Sequence, residues 1–459
     1  MGASQSEDNV APSAQHNLQI LANAESTLEQ RQRAFEKLQQ ELLPPVDHQV
    51  YAAELRRVFA LRFEPWATNC NYIPEGSTLL TENCLADRVR GLIFGAALGD
   101  AMGLSTEFMS RDQVARHYPE DHTFRPSAAV YPDTHRMMFA KGDWTDDSDQ
   151  LVLVLQTLLE HGGHYNVSFN AKLVGWKDKG FTGLGDQGGA GLGQHTKDVL
   201  RQPDFMTDAV AAAERVWKKR GCKVASNGAV MRTAVTGIPH FWNVEAVKEN
   251  TINFCRCTHA DPRCVASCIV VAECVRLLLQ GADCRQGQTG LELVNRIIDE
   301  ATLQAETYLD DYMISNGNDS DVTEADLKAW KHEVRHYANI DSIDALELDE
   351  PKTIGYTFKC MGSAIWALRS SVEDPQPFIG TITRIIRAGG DADTNAAVAG
   401  ALIGARLGHK CLPQDYAAEL PFVVWLEAWV QKVLWMLQLP VAEASAREKR
   451  CSRDEENGC

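Results

Sequence analysis

Small residues recur at helical spacing in two stretches of this chain, and that pattern narrows the folds open to it. Gly91, Gly95, Ala96, Ala97 and Gly99 fall in one apolar run; Ala396, Ala397, Ala399, Gly400, Gly404 and Ala405 fall in another. Each glycine weakens a helix by about 1 kcal/mol relative to alanine. Their compensation is that backbones can approach closely, which predicts that both helices sit at the centre of the molecule. The region around them reads the same way. Arg88 to Met102, Gln150 to Leu159, Arg263 to Leu279, Glu292 to Tyr308, Ile382 to Ala388 and Asn395 to Leu407 place apolar residues at i, i+3, i+4, while alternating strand patterns with hairpin turns are scarce. The expected class is all-α.

Two acidic clusters stand at the entrances to such helices: Thr145, Asp146 and Asp147 before Leu151 to Leu155, and Asp391, Asp393 and Thr394 before Asn395 to Leu407. One Asp or Thr suffices to cap a helix. An acidic pair twice over is more than capping needs, and carboxylates that converge in a fold repel one another unless a cation sits between them. Oxygen donors with hydroxyl neighbours suit Mg²⁺ or Mn²⁺ better than zinc. Gly389 and Gly390 lead into the second cluster and predict a tight loop presenting several oxygens. A third element, Gly99-Asp100-Ala101-Met102-Gly103 with Glu107 on the following loop, fits the same site; taken alone, Glu107 would be a solvated carboxylate.

The glycine-dense segment holding Gly183, Gly185, Gly189, Gly191 and Gly193, and the segment Ser226-Asn227-Gly228-Ala229-Val230-Met231-Arg232, can turn backbone NH groups toward phosphate oxygens. No Walker lysine pattern follows and no strand precedes, so triphosphate chemistry and a Rossmann site are disfavoured. A formal charge of −17 argues against a nucleic-acid groove. Thirteen cysteines, an odd number scattered through apolar segments, fit reduced thiols in a cytoplasmic chain. Cys255, Cys257, His259, Cys264 and Cys268 lack paired CxxC spacing and make a poor zinc site.

These motifs, in this order, resemble the ADP-ribosylglycohydrolases. The match runs through RGLIFGAALGDAMGLSTEF (90 to 108), GDWTDDSDQLVL (142 to 153), the glycine loop (183 to 193), SNGAVMR (226 to 232), THADPR (258 to 263), IGYTFKCMGSAIWAL (354 to 368) and RAGGDADTNAAVAGALIGARLG (387 to 408). The resemblance implies a single large orthogonal helical domain with two Mg²⁺ or Mn²⁺ ions in a cleft, hydrolysing the bond at C1″ of ADP-ribose adducts. Carried over, it makes Thr145, Asp146, Asp147, Asp391, Asp393 and Thr394 metal ligands. Glu107 becomes the glutamate near the scissile bond, and Ser226, Asn227, Gly228, Met231, His259 and Tyr356 line the ligand. Asp146 or Asp147 would accept a proton from water and Glu107 deliver one to the leaving group, or the reverse. The acceptor, whether arginine, serine or a small conjugate such as O-acetyl-ADP-ribose, is named by no motif. The alternative, a non-catalytic binding relative, is opposed by retention of all six ligands and Glu107. The chain departs from the family in its amino-terminal extension, in an acidic insert from about 316 to 349, and in Ala392, where threonine is common.

The expected organisation is a flexible segment 1–16, a helical extension 17–84, a catalytic domain 85–440 and a disordered tail 441–459, in a monomer. Leu21, Leu28, Phe35 and Leu42 predict one amphipathic helix from Asn17 to Leu43, folded back on the domain. Met1-Gly2-Ala3-Ser4-Gln5-Ser6 fits the myristoylation pattern at Gly2. With acidic residues following, one acyl chain predicts only a weak, reversible membrane association.

Overall fold

The computed structural model describes residues 12–23, 25–43, 45–63, 73–163, 168–284, 288–316 and 321–440. Gly2 and the tail from 441 lie outside them. Among the described residues the fold is all-α, without a strand. Each helix expected from periodicity between residues 85 and 440 is present, within Glu82–Gly103, Asp146–His161, Pro262–Leu279, Gly290–Asn316, Ile379–Ala388 and Ala392–Leu407. Among the described residues no helix is long and apolar enough to cross a membrane.

The two glycine-rich helices, Glu82–Gly103 and Ala392–Leu407, pack backbone to backbone at the centre. A Cβ on Gly91, Gly95, Gly99 or Gly103 would lie 2.3, 2.2, 2.0 or 2.5 Å from the carbonyl oxygen of Gly404, Gly400, Ala396 or Ala392 respectively. That ladder leaves no room for a side chain. It also fixes where the helices end, bringing Asp100 alongside Asp393. Gly95→Ala is expected to destabilise the protein by about 3 kcal/mol or more, because the clashing atoms are backbone and neither helix can yield locally. A denaturant midpoint equal to wild type would refute the ladder.

The amino-terminal extension differs from the single helix expected. It forms Pro12–Ala22 and Leu28–Leu42, so helix begins within the segment expected to be flexible, and breaks where continuity was expected. Thr27 opens the second helix with a capping box to Gln30. The Arg31 guanidinium then bonds the carbonyls of Leu21, Asn23 and Ser26 at 2.7, 2.6 and 3.3 Å, closing the turn. Leu21, Phe35 and Leu38 are buried against Ala14, Ala34 and Met137, while Leu28 and Leu42 face out. A third helix, His48–Ala60, completes the extension. In the acidic insert, Glu324–Ala338 is an ordinary amphipathic helix that buries Leu327, Trp330, Val334 and Ala338.

Candidate active site

Four chain segments converge on the expected acidic centre. Asp100, at the end of its glycine-rich helix, is fully buried and accepts from the Thr145 amide (3.0 Å) and hydroxyl (2.9 Å). It also accepts from the Ser148 amide (2.9 Å) and hydroxyl (2.6 Å), so the first acidic loop hangs on this one carboxylate. The Thr145 hydroxyl lies 3.0 Å from Asp147 Oδ2 and 3.3 Å from Asp393 Oδ2, and the Thr394 hydroxyl 3.2 Å from Asp147 Oδ2. The two clusters are therefore one site.

The second loop is built by its glycines. Gly389 and Gly390 both have positive φ, and a Cβ on Gly390 would meet the Leu348 carbonyl at 2.0 Å. The Phe108 amide donates to Gly390 O (2.7 Å) and the Gly390 amide to Met109 O (2.8 Å), which stitches the Glu107 loop to Asp391. Glu107 is buried, not solvated; its Oε2 is 2.5 Å from His135 Nε2, and Arg136 holds its backbone carbonyl.

Carboxylate oxygens of Asp100, Asp147 and Asp393 lie within 4.8 Å of one another, as do those of Glu107, Asp391 and Asp393. The two triads share Asp393. Burial pushes Asp100 and Asp391 up to about 6, in Asp391 with help from the Glu107 charge. Burial raises Asp146, Asp147 and Asp393 well above the carboxylate range, and neighbouring carboxylates add to it. Asp147 Oδ1 and Asp393 Oδ1 are buried with no hydrogen-bond partner. Unpartnered carboxylate oxygens at a shared, oxygen-only focus are what a hard divalent cation would satisfy. Asp100, with both oxygens occupied by Thr145 and Ser148, serves better as the anchor of the loop than as a ligand.

Residues 81–444 match the family model for ADP-ribosylglycohydrolase. The chain belongs to the ADP-ribosylglycohydrolase family. It is 24% identical over 370 residues to the ADP-ribosylarginine hydrolase Tri1 of Pseudomonas putida (strain GB-1), covering 80% of each protein. It is 22% identical over 352 residues to the protein of the same name from Serratia proteamaculans (strain 568), covering 74% of this chain and 77% of that one. A solved structure titled ADP-ribosylglycohydrolase-related protein complex shares the fold, with a TM-score of 0.50 at 19% identity, over 77% of this chain and 99% of its own. This ADP-ribosylglycohydrolase is thus a glycosidic-bond hydrolase acting on ADP-ribose adducts.

Around the acidic centre, the hydrolase brings several other expected residues together. Asn227 donates from Nδ2 to Asp391 Oδ2 (2.8 Å), and its amide donates to Gly355 O (2.9 Å). Ser226 pairs with Tyr356 in a short antiparallel bridge. His259 is buried with Nε2 3.0 Å from the Ser226 hydroxyl and Nδ1 2.8 Å from the Thr258 hydroxyl, and burial holds it neutral. It also backs Gly228, where a Cβ would lie 3.2 Å from its ring. Its role in this geometry is to brace the Ser226 segment. Met231 is buried, and Tyr356 donates its hydroxyl to Glu333 on the insert helix (2.7 Å).

The glycine loop divides. Gly191 lies against Asp146, where a Cβ would come within 2.4 Å of Oδ1, and Asp146 Oδ2 accepts from Gln150 (2.7 Å). Gly189 packs on the Trp176 ring and the space at Gly193 is open. Gly183 and Gly185 pack instead on Glu54 and Val46 of the extension. Asp100 as anchor and His135 as partner of Glu107 escaped the sequence reading. The GDAMG segment points to this site, though not to the anchoring role of Asp100; His135 offers no signal. The cysteine run holds buried free thiols, and no cation group among the described residues includes them.

Proposed function

We propose that the chain is a divalent-metal-dependent hydrolase that releases ADP-ribose from arginine side chains of proteins. The observation that carries the metal dependence is the pair of carboxylate triads meeting at Asp393, with two buried oxygens lacking partners. The arginine linkage is supported by the names of the two bacterial relatives.

Asp147, Asp391 and Asp393, with Thr145, Thr394 and Asp146, would hold two Mg²⁺ or Mn²⁺ grouped around the shared Asp393. Bound there, divalent cations supply positive charge that orients the ribose hydroxyls and acidifies water. The protein groups do the rest. Asn227 and the Ser226 bridge shape the wall beside Asp391. Glu107, with Oε2 engaged by His135, moves a proton at Oε1, to the leaving nitrogen as the C1″–N bond breaks. Asp146 or Asp147 takes the proton of the attacking water. The surrounding carboxylates favour positive charge developing on the sugar.

The test offers arginine-linked and serine-linked ADP-ribosylated proteins to the enzyme with Mg²⁺, with Mn²⁺ and with a chelator. Free ADP-ribose from the arginine adduct alone, abolished by the chelator, is expected. Release from serine only, or undiminished release with chelator, would overturn the proposal.

Metal should also appear in stability. In the metal-free protein Asp100 and Asp391 are raised from 3.8 to about 6, so their contribution is most favourable below 3.8 and is lost as pH rises through about 6. Cations bind the ionised form and offset that loss. At about pH 7.5, Mn²⁺ at about a hundredfold excess over Kd should raise Tm by about 5 °C, and the gain should shrink near pH 5. A metal-induced rise that is larger at the acid pH would contradict the site.

A further inference from the structure

The extension lies ahead of the segment that matches the family, yet it touches both loops that flank the acidic centre. On one side, Gln39 donates from Nε2 to Phe139 O (2.9 Å), and Phe35 and Leu38 bury Met137. That segment carries His135, the partner of Glu107.

On the other side the contact runs through one carboxylate. Glu54, on His48–Ala60, has a side chain only 12% exposed; Arg57 bonds both its oxygens at 2.7 Å, and Oε1 accepts from Trp425 Nε1 at 3.1 Å. Trp425 is fully buried. Its ring lies 4.9 Å from Phe181, at the start of the glycine loop, and is stacked 6.4 Å from Trp144, the residue before Thr145. The loop also rests on Glu54 directly. A Cβ on Gly183 would lie 2.4 Å from Glu54 Cγ, and one on Gly185 would lie 3.0 Å from Val46 Cγ2. Farther along, the loop reaches Asp146 at Gly191.

We infer that Glu54 is a positioning residue: by holding the Trp425 indole and seating Gly183, it fixes the 181–191 loop beside Asp146 and thereby sets affinity for the ADP-ribose part of the substrate. This rests on the proposed reaction, but the clamp itself can be read without turnover. An unsatisfied indole NH is costly when buried. Removing the carboxylate therefore favours a loop that has left its seat over one that stays.

The experiment uses full-length enzyme with saturating Mn²⁺ and three variants, Glu54→Ala, Glu54→Gln and Trp425→Phe. Hydrogen exchange of amides 181–193, calorimetric ADP-ribose binding and steady-state rates are measured. Glu54→Ala should raise KM and the ADP-ribose Kd about tenfold with kcat within about threefold, and speed loop exchange by a similar factor. Glu54→Gln, whose amide oxygen still accepts from the indole, should stay within about twofold of wild type in KM. Trp425→Phe removes the bond from its other side without stranding an NH, so its KM should rise less than in Glu54→Ala but more than in Glu54→Gln. If Glu54→Ala fails to fold, the Trp425→Phe and Glu54→Gln pair still decides. Unchanged KM and loop exchange in an active enzyme would overturn the clamp, as would equal losses in Glu54→Gln and Glu54→Ala. A wild-type enzyme that releases no ADP-ribose defeats the proposed reaction instead, and loop exchange still reports on Glu54.

Discussion

Asp393→Ala is expected to abolish turnover, by on the order of 10⁴-fold or more, while leaving the fold intact. Asp393 is the residue shared by both carboxylate triads, so its loss opens both halves of the site at once. Losing a residue from one triad alone should leave the other partly competent. The helix that begins beside it is held by the glycine ladder, not by the carboxylate, so helical content should not change. The sign of the stability change is informative. Asp393 is a buried carboxylate whose ionisation is opposed by burial, then by Glu107, Asp147 and Asp391. Without metal, removing it relieves repulsion, and the variant should melt at or above the wild-type temperature near neutral pH. With Mn²⁺ the order should reverse, because only wild type gains. Retained activity, or an undiminished metal-induced rise in Tm, would remove Asp393 from the centre of the site.

The parts of this architecture that were legible in the sequence are those written in local repetition. Gly91, Gly95 and Gly99 repeat every four residues, as do Ala396, Gly400 and Gly404; this spacing has little use except close helix packing, and the ladder follows from it. The doubled acid clusters were visible because capping could not account for both. Features that depend on tertiary neighbours were not visible. The segment of Asp100 pointed to the site, but its anchoring role did not show, because its four bonds to Thr145 and Ser148 exist only once the ladder has brought the loops together. His135 reaches Glu107 because Arg136 bonds the carbonyls of Ser105 and Glu107, a closure no spacing announces. Gly183 and Gly185 read as a phosphate cradle because flexible glycine suits that use. In the fold their missing side chains make room for Glu54 and Val46, from a segment far upstream. The heptad of Leu21, Leu28, Phe35 and Leu42 suggested one helix, but Arg31 satisfies the carbonyls of a break inside it.

Glu107→Gln separates proton transfer from binding. The substitution preserves length and shape, and the loop that carries Glu107 is fixed by its backbone: Arg136 holds the carbonyl, and the Phe108 amide donates to Gly390 O at 2.7 Å. Phe108 itself sits at φ 59, a conformation set by that closure and independent of the neighbouring side chain. The glutamine can still bond His135, so the site should keep its form. What it lacks is a carboxylate that can gain and lose a proton. With Mn²⁺ saturating, kcat should fall by about 10² to 10⁴ while ADP-ribose affinity stays within a few fold. Metal stoichiometry must be measured alongside, because Glu107 also belongs to one of the triads. Two ions bound with kcat collapsed assigns proton transfer to Glu107; a lost ion with partial recovery at higher Mn²⁺ assigns it to the metal instead. If kcat survives and only affinity drops, Glu107 binds substrate, and the proton must move through Asp146 or Asp147.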